Sequence, residues 1–277
     1  MKLAFTKMHG LGNDFMVIDA INQSFTPRAE LVRAWADRYH GIGFDQLLVV
    51  ERAQSAEAAF RYRIYNADGG EVAQCGNGAR CFARFVRERG LTDLDVIPVE
   101  TNTGLLKLER IDNTRYRVDM GVPRFEPAAI PLRVEQRADL YHVDFDGAET
   151  AFGAVNVGNP HMVIPVADVD SAPVETMGPY FETHRMFPER ANIGFMQVVD
   201  RGRFRLRVFE RGVGETRACG SGACAAMVTG VRLDMLDTSA VAELRGGDLK
   251  LEWQGGTNPV MMTGETATVF TGEIDYD

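Results

Sequence analysis

Two cysteines stand out, each inside a ten-residue block that the chain uses twice. Gly70-Glu71-Val72-Ala73-Gln74-Cys75-Gly76-Asn77-Gly78-Ala79 and Gly214-Glu215-Thr216-Arg217-Ala218-Cys219-Gly220-Ser221-Gly222-Ala223 align without a gap. They share Gly, Glu, Cys, Gly, Gly and Ala at equivalent positions. Cys-Gly followed by Asn or Ser and a second Gly reads as a helix start, with Asn77 and Ser221 as the expected capping residues. Orphan N–H groups and the positive end of the helix dipole make such a start a site for anions. The same field is expected to lower the thiol pKa from its ordinary ~8.5. Two such thiols suit proton transfer at a carbon acid: one thiolate takes the α-proton of an amino acid and the other thiol returns one to the opposite face. N–H groups at the helix starts would stabilise the enediolate-like charge that develops in between. A pseudo-two-fold bringing both helix starts to one substrate would supply this arrangement.

Other readings of the cysteines are weaker. Cys81 and Cys224 fall beyond the first turn of their helices, where a thiol is a small buried hydrophobe. The spacings C-x5-C and C-x4-C, with no histidine in either block, do not match a zinc site, and no metal is expected. There is no C-x-x-C for a redox motif, no G-K-[ST] and no G-x-G-x-x-G for a phosphate loop. Glu210-Arg211 could be an ordinary surface pair and His161 a structural histidine.

The blocks need elements to hold them, and the chain supplies these in two similar series. Leu3–Met8 and Asp14–Ile21 read as strands broken at Gly10-Leu11-Gly12-Asn13. Thr26 with Pro27 predicts a helix start, and Leu31, Ala34, Trp35 and Tyr39 share a helical face that Gly41 ends. Strands follow at 46–51 and 61–65, then the first cysteine helix through Phe82, Phe85 and Val86. The second half repeats this with strands at 152–157, 161–166, 192–199 and 204–209, a helix over 173–184, and the second cysteine helix through Met227, Val228 and Val231. Gly12-Asn13-Asp14-Phe15-Met16-Val17-Ile18 also resembles Gly158-Asn159-Pro160-His161-Met162-Val163-Ile164, and Ile42-Gly43-Phe44-Asp45-Gln46 resembles Ile193-Gly194-Phe195-Met196-Gln197. Repetition in the same order predicts two α+β domains related by pseudo-two-fold symmetry, each an antiparallel barrel-like sheet around a central helix. The expected division is 1–119 with a C-terminal return of 265–277, and 120–264.

The chain has 277 residues and a formal charge of −9, which argues against a nucleic-acid partner. No apolar stretch reaches membrane-spanning length, and the first ten residues lack a signal-peptide core. Four cysteines without an export signal point to reduced thiols in the cytoplasm.

Lys-Met-His-Gly-Leu-Gly-Asn-Asp-Phe (7–15), Tyr-Asn-Ala-Asp-Gly-Gly-Glu-Val-Ala-Gln-Cys-Gly-Asn-Gly-Ala-Arg-Cys (65–81) and Glu-Arg-Gly-Val-Gly-Glu-Thr-Arg-Ala-Cys-Gly-Ser-Gly (210–222) resemble the diaminopimelate epimerase family. The likeness extends over essentially the whole chain. It implies a homodimeric, cofactor-independent enzyme that interconverts LL- and meso-diaminopimelate in bacterial lysine and peptidoglycan synthesis. By position, Cys75 and Cys219 match the catalytic pair, and His161 and Glu210 the residues that tune the thiols. Asn13, Gln46, Asn66, Asn159, Asn192, Glu210 and Arg211 match substrate-binding positions. Gly76, Asn77, Gly220 and Ser221 match those giving N–H groups to the reacting carboxylate. Gly70 departs from the pattern, where the family more often has Ser. A proline-type racemase shares the two-cysteine logic, but its substrate has no second charged end for Arg211. A non-catalytic redox or metal-binding module is the alternative from another class.

Overall fold

Leu11 and Gly12 both adopt positive φ, 56° and 82°, and close a two-residue hairpin between β1 (Lys2–Gly10) and β2 (Asn13–Asp19). The turn residues favoured in the left-handed region are Gly and Asn, so Gly12 serves and Leu11 is strained. The structure is a computed structural model that describes residues 1–72 and 75–276. Ala73 and Gln74 of the first cysteine block, and Asp277 of the expected C-terminal return, lie outside the described residues.

The chain divides into two compact units, Met1–Asp119 with the segment from Thr263 onward, and Met120–Met262. In the first, β1 and β2 are followed by α1 (Ala29–Ala36), β3 (Gln46–Arg52), β4 (Phe60–Asn66), the short β5 (Glu71–Val72), α2 (Gly76–Glu88), β6 (Val96–Thr101), β7 (Gly104–Arg110) and β8 (Arg115–Asp119). The second holds β9 (Tyr141–Phe145), β10 (Ala148–Asn156), β11 (Pro160–Pro165), α3 (Val174–Glu182), β12 (Asn192–Asp200), β13 (Arg203–Glu210), β14 (Gly214–Thr216), α4 (Gly220–Arg232), β15 (Ser239–Leu244) and β16 (Gly247–Glu252). The chain then continues through β17 (Met261–Glu265) into β18 (Ala267–Asp275), which pairs antiparallel with β1.

Each unit is a mixed sheet with the same two parallel joints. In the first, β2 runs parallel to β3 and β4 to β6, whereas β1–β2, β3–β4, β4–β5, β6–β7 and β7–β8 are antiparallel. In the second, β11 runs parallel to β12 and β13 to β15 among antiparallel neighbours. The registers correct one sequence pairing. Phe15 stands opposite Gln46, and His161 opposite Asn192, so the counterpart of Gln46 is Asn192 and not Gln197. The likeness of 42–46 to 193–197 is a coincidence of a short Gly-Phe pattern.

Helix α2 packs against β1, β2, β3, β7 and β8, burying Cys81, Phe82, Phe85 and Val86. Phe82 meets Tyr62 with ring centroids 4.9 Å apart. Full burial of such a ring contributes about 2–3 kcal/mol. On the other face of the sheet, Leu47 and Val49 join Phe25, Val32 and Trp35 in a second cluster, whereas Leu48 approaches Gly78 in α2. Two covered faces explain why Leu47-Leu48-Val49-Val50 is apolar without alternation. The second unit buries Ile193 and Phe195 of β12 with Val174, Met177 and Phe181 of α3. Helix α1 begins later than its Thr26-Pro27 signal. Its N-cap is Arg28, without a side-chain cap bond, and Tyr39 lies beyond the helix, fully in solvent.

Candidate active site

Both sequence blocks place their cysteine at the N-cap of a long helix, with extended backbone (φ −142°, ψ 120° at Cys75; φ −114°, ψ 105° at Cys219). The caps are the sulfurs themselves. Cys75 Sγ accepts from Gly78 N at 3.5 Å, and Cys219 Sγ from Gly222 N at 3.4 Å. Asn77 and Ser221 are therefore not the capping residues expected from sequence; each sits inside the first turn and turns its side chain elsewhere. The glycines one position further on have a packing reason. A Cβ on Gly78 would collide with the Tyr62 hydroxyl, and one on Gly222 would stand 2.8 Å from Val208 Cγ2. The close approach is thus to the protein's own sheet. Gly76, Asn77, Gly220 and Ser221 fill first-turn positions whose N–H groups have no i−4 carbonyl to reach.

In the first unit, strand register brings three expected residues to one end of the sheet. Gln46 lies opposite Asn66 in the β3–β4 ladder, and its Nε2 donates to Asn66 Oδ1 at 2.8 Å. Gln46 Oε1 is buried with no hydrogen-bond partner among the described residues. Asn13, at the start of β2, presents Oδ1 to Cys75 Sγ (3.7 Å) and accepts from Asn77 Nδ2 (3.3 Å). Its Nδ2 donates to Asp45 Oδ2 at 2.9 Å.

In the second unit the histidine is enclosed. His161 Nε2 lies 2.8 Å from Asn159 Oδ1 and 3.1 Å from Ser221 Oγ. Burial, with the Arg211 charge adding to it, pushes its pKa down to about 3, so the imidazole is neutral. Facing a carbonyl oxygen, Nε2 carries the proton, which leaves Nδ1 as a buried acceptor without a partner among the described residues. Cys219 lies 3.6 Å from Ser221 Oγ. Its thiol is pushed well above the ordinary range, first by burial and then by the negative charge of Glu210. This corrects the expectation of a lowered pKa at Cys219. Ser221 and the Gly222 N–H do favour thiolate, but they are outweighed. The Thr216 hydroxyl donates to Glu210 Oε1. Asn192 is engaged at both ends, Nδ2 on Pro160 O (3.1 Å) and Oδ1 on Arg211 N (3.0 Å). Arg211 itself is exposed, with Nη1 on Glu189 O at 3.0 Å.

Several residues around these sites escaped the sequence reading. The Glu shared by both blocks forms a two-pronged ion pair in each unit: Arg63 with Glu71 at 2.8 Å on both prongs, and Arg207 with Glu215 at 2.7 and 2.9 Å. The shared spacing of Arg63–Glu71 and Arg207–Glu215 was a readable signal, and these pairs tie β5 to β4 and β14 to β13. Arg80 is fully buried in α2, its Nη2 on Asn77 Oδ1 at 2.9 Å. Cys81 and Cys224 are fully buried, and burial lifts the Cys81 thiol to about 12. Among the described residues no cluster of His, Cys, Asp or Glu is arranged to hold a metal ion. Among the described residues no helix is long and apolar enough to cross a membrane.

A family model described as diaminopimelate epimerase matches residues 5–126 and 153–269. A diaminopimelate epimerase of Nitrosomonas europaea is 56% identical over 275 residues, covering 99% of this chain and 100% of that protein. One from Neisseria meningitidis serogroup A is 56% identical over 280 residues, with 99% of both chains covered. Among solved structures, a hydroxyproline epimerase from Agrobacterium vitis superposes with a TM-score of 0.72 at 15% identity, over 99% of this chain and 92% of the other. At that identity the likeness is one of fold.

Proposed function

Because the chain belongs to the diaminopimelate epimerase family, we propose that it inverts one α-carbon of diaminopimelate by moving protons through Cys75 and Cys219, one thiol from each unit. The enzyme is an isomerase, and its substrate is an intermediate of lysine biosynthesis. Meso-diaminopimelate for peptidoglycan is the second use we assign to its product. Relatives above 50% identical over the whole chain favour this activity over a proline-type racemase or a redox or metal-binding module.

One observation carries the mechanism: the same sulfur-capped helix start is built twice, at equivalent positions. Inversion needs a proton to leave one face of the α-carbon and another to arrive on the opposite face. Two positioned sulfurs supply both without a cofactor. In one direction Cys75, as thiolate, takes the α-proton while the Cys219 thiol gives its own to the carbon. The thiolate left at Cys219 is received by the Gly222 N–H and the Ser221 hydroxyl. The reverse reaction exchanges the roles.

The surrounding residues suit a substrate with two zwitterionic ends. Gln46 Oε1 and His161 Nδ1 are buried acceptors that an ammonium group would satisfy. Asn13, Asn66, Asn159, Asn192 and Glu210 are assigned to the same polar contacts. The first-turn N–H groups of Gly76, Asn77, Gly220 and Ser221 are assigned to the reacting carboxylate. The exposed Arg211 guanidinium suits the distal carboxylate. We place the enzyme in the cytoplasm, as a homodimer with no nucleic-acid partner.

Incubation with diaminopimelate in heavy water tests the reading. The wild-type enzyme is expected to label the α-carbon. Cys75→Ala and Cys219→Ala should each lose epimerisation by roughly 10²–10⁴-fold, the usual contribution of a positioned acid or base. Absence of label with wild type, or full turnover without either cysteine, overturns it.

A further inference from the structure

We propose that Arg80 and Asp45 are positioning residues that polarise a hydrogen-bond chain, Arg80→Asn77→Asn13→Asp45, and so fix an amide oxygen toward Cys75. The proposal rests on the reading of Cys75 as a catalytic thiol. The links run from Arg80 Nη2 to Asn77 Oδ1 at 2.9 Å, from Asn77 Nδ2 to Asn13 Oδ1 at 3.3 Å, and from Asn13 Nδ2 to Asp45 Oδ2 at 2.9 Å.

Asparagine amides can turn over, exchanging donor for acceptor. The ends of this chain remove that freedom. A guanidinium can only donate and an ionised carboxylate can only accept, so both amides between them must point one way. The result is that Asn13 Oδ1, not Nδ2, lies 3.7 Å from the sulfur. An oxygen there accepts from a thiol S–H and disfavours a thiolate; a flipped amide would donate to the thiolate instead.

The Asp45 end is itself held. Its Oδ2 also accepts from Asp14 N at 3.1 Å, and its Oδ1 pairs with Arg38 Nη2 at 2.7 Å. The second unit has no counterpart. The register that aligns Gln46 with Asn192 puts Ala191 in place of Asp45, and the cysteine blocks put Cys224 in place of Arg80. There the equivalent Asn159 is held by His161. The chain therefore sets the protonation preference of one thiol only. It works by fixed polarity through amides, where the other unit sets a neutral histidine, His161, and the charge of Glu210 about its thiol. Titratable groups that interact with Cys75 include Tyr62 from β4, with its hydroxyl 3.5 Å from Cys75 O, and Cys81 from α2, while the Arg80 guanidinium sits beside it with Nη1 on Gly76 O.

Asp45→Asn is the primary test, because residue 45 is partly exposed and the change is isosteric. Peptide-resolved alkylation of Cys75 with iodoacetamide, followed across pH 6–10, reads the sulfur directly and does not need turnover. The variant should alkylate at Cys75 several-fold faster near pH 7 and leave Cys219 unchanged, as expected for one charge-anchored hydrogen bond lost beside a thiol. In kinetics kcat should fall about ten-fold with a KM change of less than about three-fold, the pattern of an interaction that matters in the transition state. Asp45→Glu, which keeps an acceptor-only end, should recover much of both. An unchanged Cys75 alkylation profile in Asp45→Asn overturns the proposal, as does an Asp45→Glu variant no closer to wild type than Asp45→Asn. Arg80→Gln, scored only if its far-UV spectrum is native, should act in the same direction. If Cys75→Ala proves fully active, the catalytic reading fails while the alkylation result still decides the chain.

Discussion

Cys219 and His161 show how burial decides chemistry that a motif leaves open. A helix N-terminus is worth about 0.3–1 kcal/mol to a nearby anion, up to ~2 in favourable partly buried geometry. That is about one pKa unit or less in the ordinary case, whereas burial can shift a group by 3–5 units. The thiol at Cys219 is buried and faces Glu210, so the larger effect wins and its pKa rises. Sequence shows the helix start but not the depth at which its first residue sits. His161 follows the same rule: enclosure drives its pKa down to about 3, and the nearby Arg211 charge helps. The side chain should remain a neutral imidazole, with its proton on Nε2, throughout pH 5–8. Heteronuclear NMR of the histidine ring nitrogens checks this. No titration of the His161 signals is expected in that window, and a midpoint near 6.5 would show that the pocket admits water or a counter-charge.

Strand ends, more than strand interiors, determine what each unit can present. Asp14, one residue into β2, accepts from Lys7 Nζ at 2.6 Å and from Arg38 at 3.0 and 2.9 Å, locking β1, β2 and the segment after α1 beside Asn13. Burial alone would raise its carboxyl, but the Arg38 and Lys7 hydrogen bonds prevail and hold it at about 2. The folded value lies below the ordinary one, so the stabilisation is complete above about pH 4 and disappears as the pH falls through 2. It amounts to about 2 kcal/mol. Acid titration of the melting temperature should therefore show a steeper loss between pH 4 and 2 in wild type than in Asp14→Asn. Parallel curves would mean that the cluster contributes nothing specific. None of this was legible in sequence, because Lys7, Asp14, Arg38 and Asp45 become neighbours only through the β1–β2 hairpin, the β2–β3 register and the path of the segment after α1. The strands themselves were legible, since alternation and unbroken apolar runs reflect one or two covered faces. The start of α1 was not: Thr26-Pro27 is a sound local signal, yet Phe25 is drawn into a stack with Trp35 and the helix begins beyond it.

The duplication was the most legible property of the whole molecule, because two sulfur-capped helices demand the same Cys-Gly-x-Gly spacing twice. What distinguishes the two copies was hidden. One surrounds its cysteine with a polarised amide chain, the other with a neutral histidine and a carboxylate, and the residues concerned are scattered through each unit. Association of two chains poses a separate problem. Each carries a formal charge of −9, so like copies repel, with screening only beyond about 8 Å at physiological ionic strength. The homodimer proposed above would be held by an apolar surface that offsets this repulsion. Strand β18 offers one. Neighbouring strand residues point to opposite faces, yet Val269 and Phe270 are both about half exposed, at 54% and 47%. The register with β1 shifts there: Lys7 faces Phe270 and Met8 faces Thr268, which leaves Val269 as the extra residue of a bulge. Phe270 meets the Phe5 ring edge-on, with centroids 5.9 Å apart. Sedimentation equilibrium should give twice the 30.7 kDa chain mass for wild type. A Val269→Asp, Phe270→Asp double variant should fall to the single-chain mass while keeping a native far-UV spectrum. A wild type that is monomeric at micromolar concentration rules out the homodimer, and a double variant that stays dimeric rules out this strand as its contact.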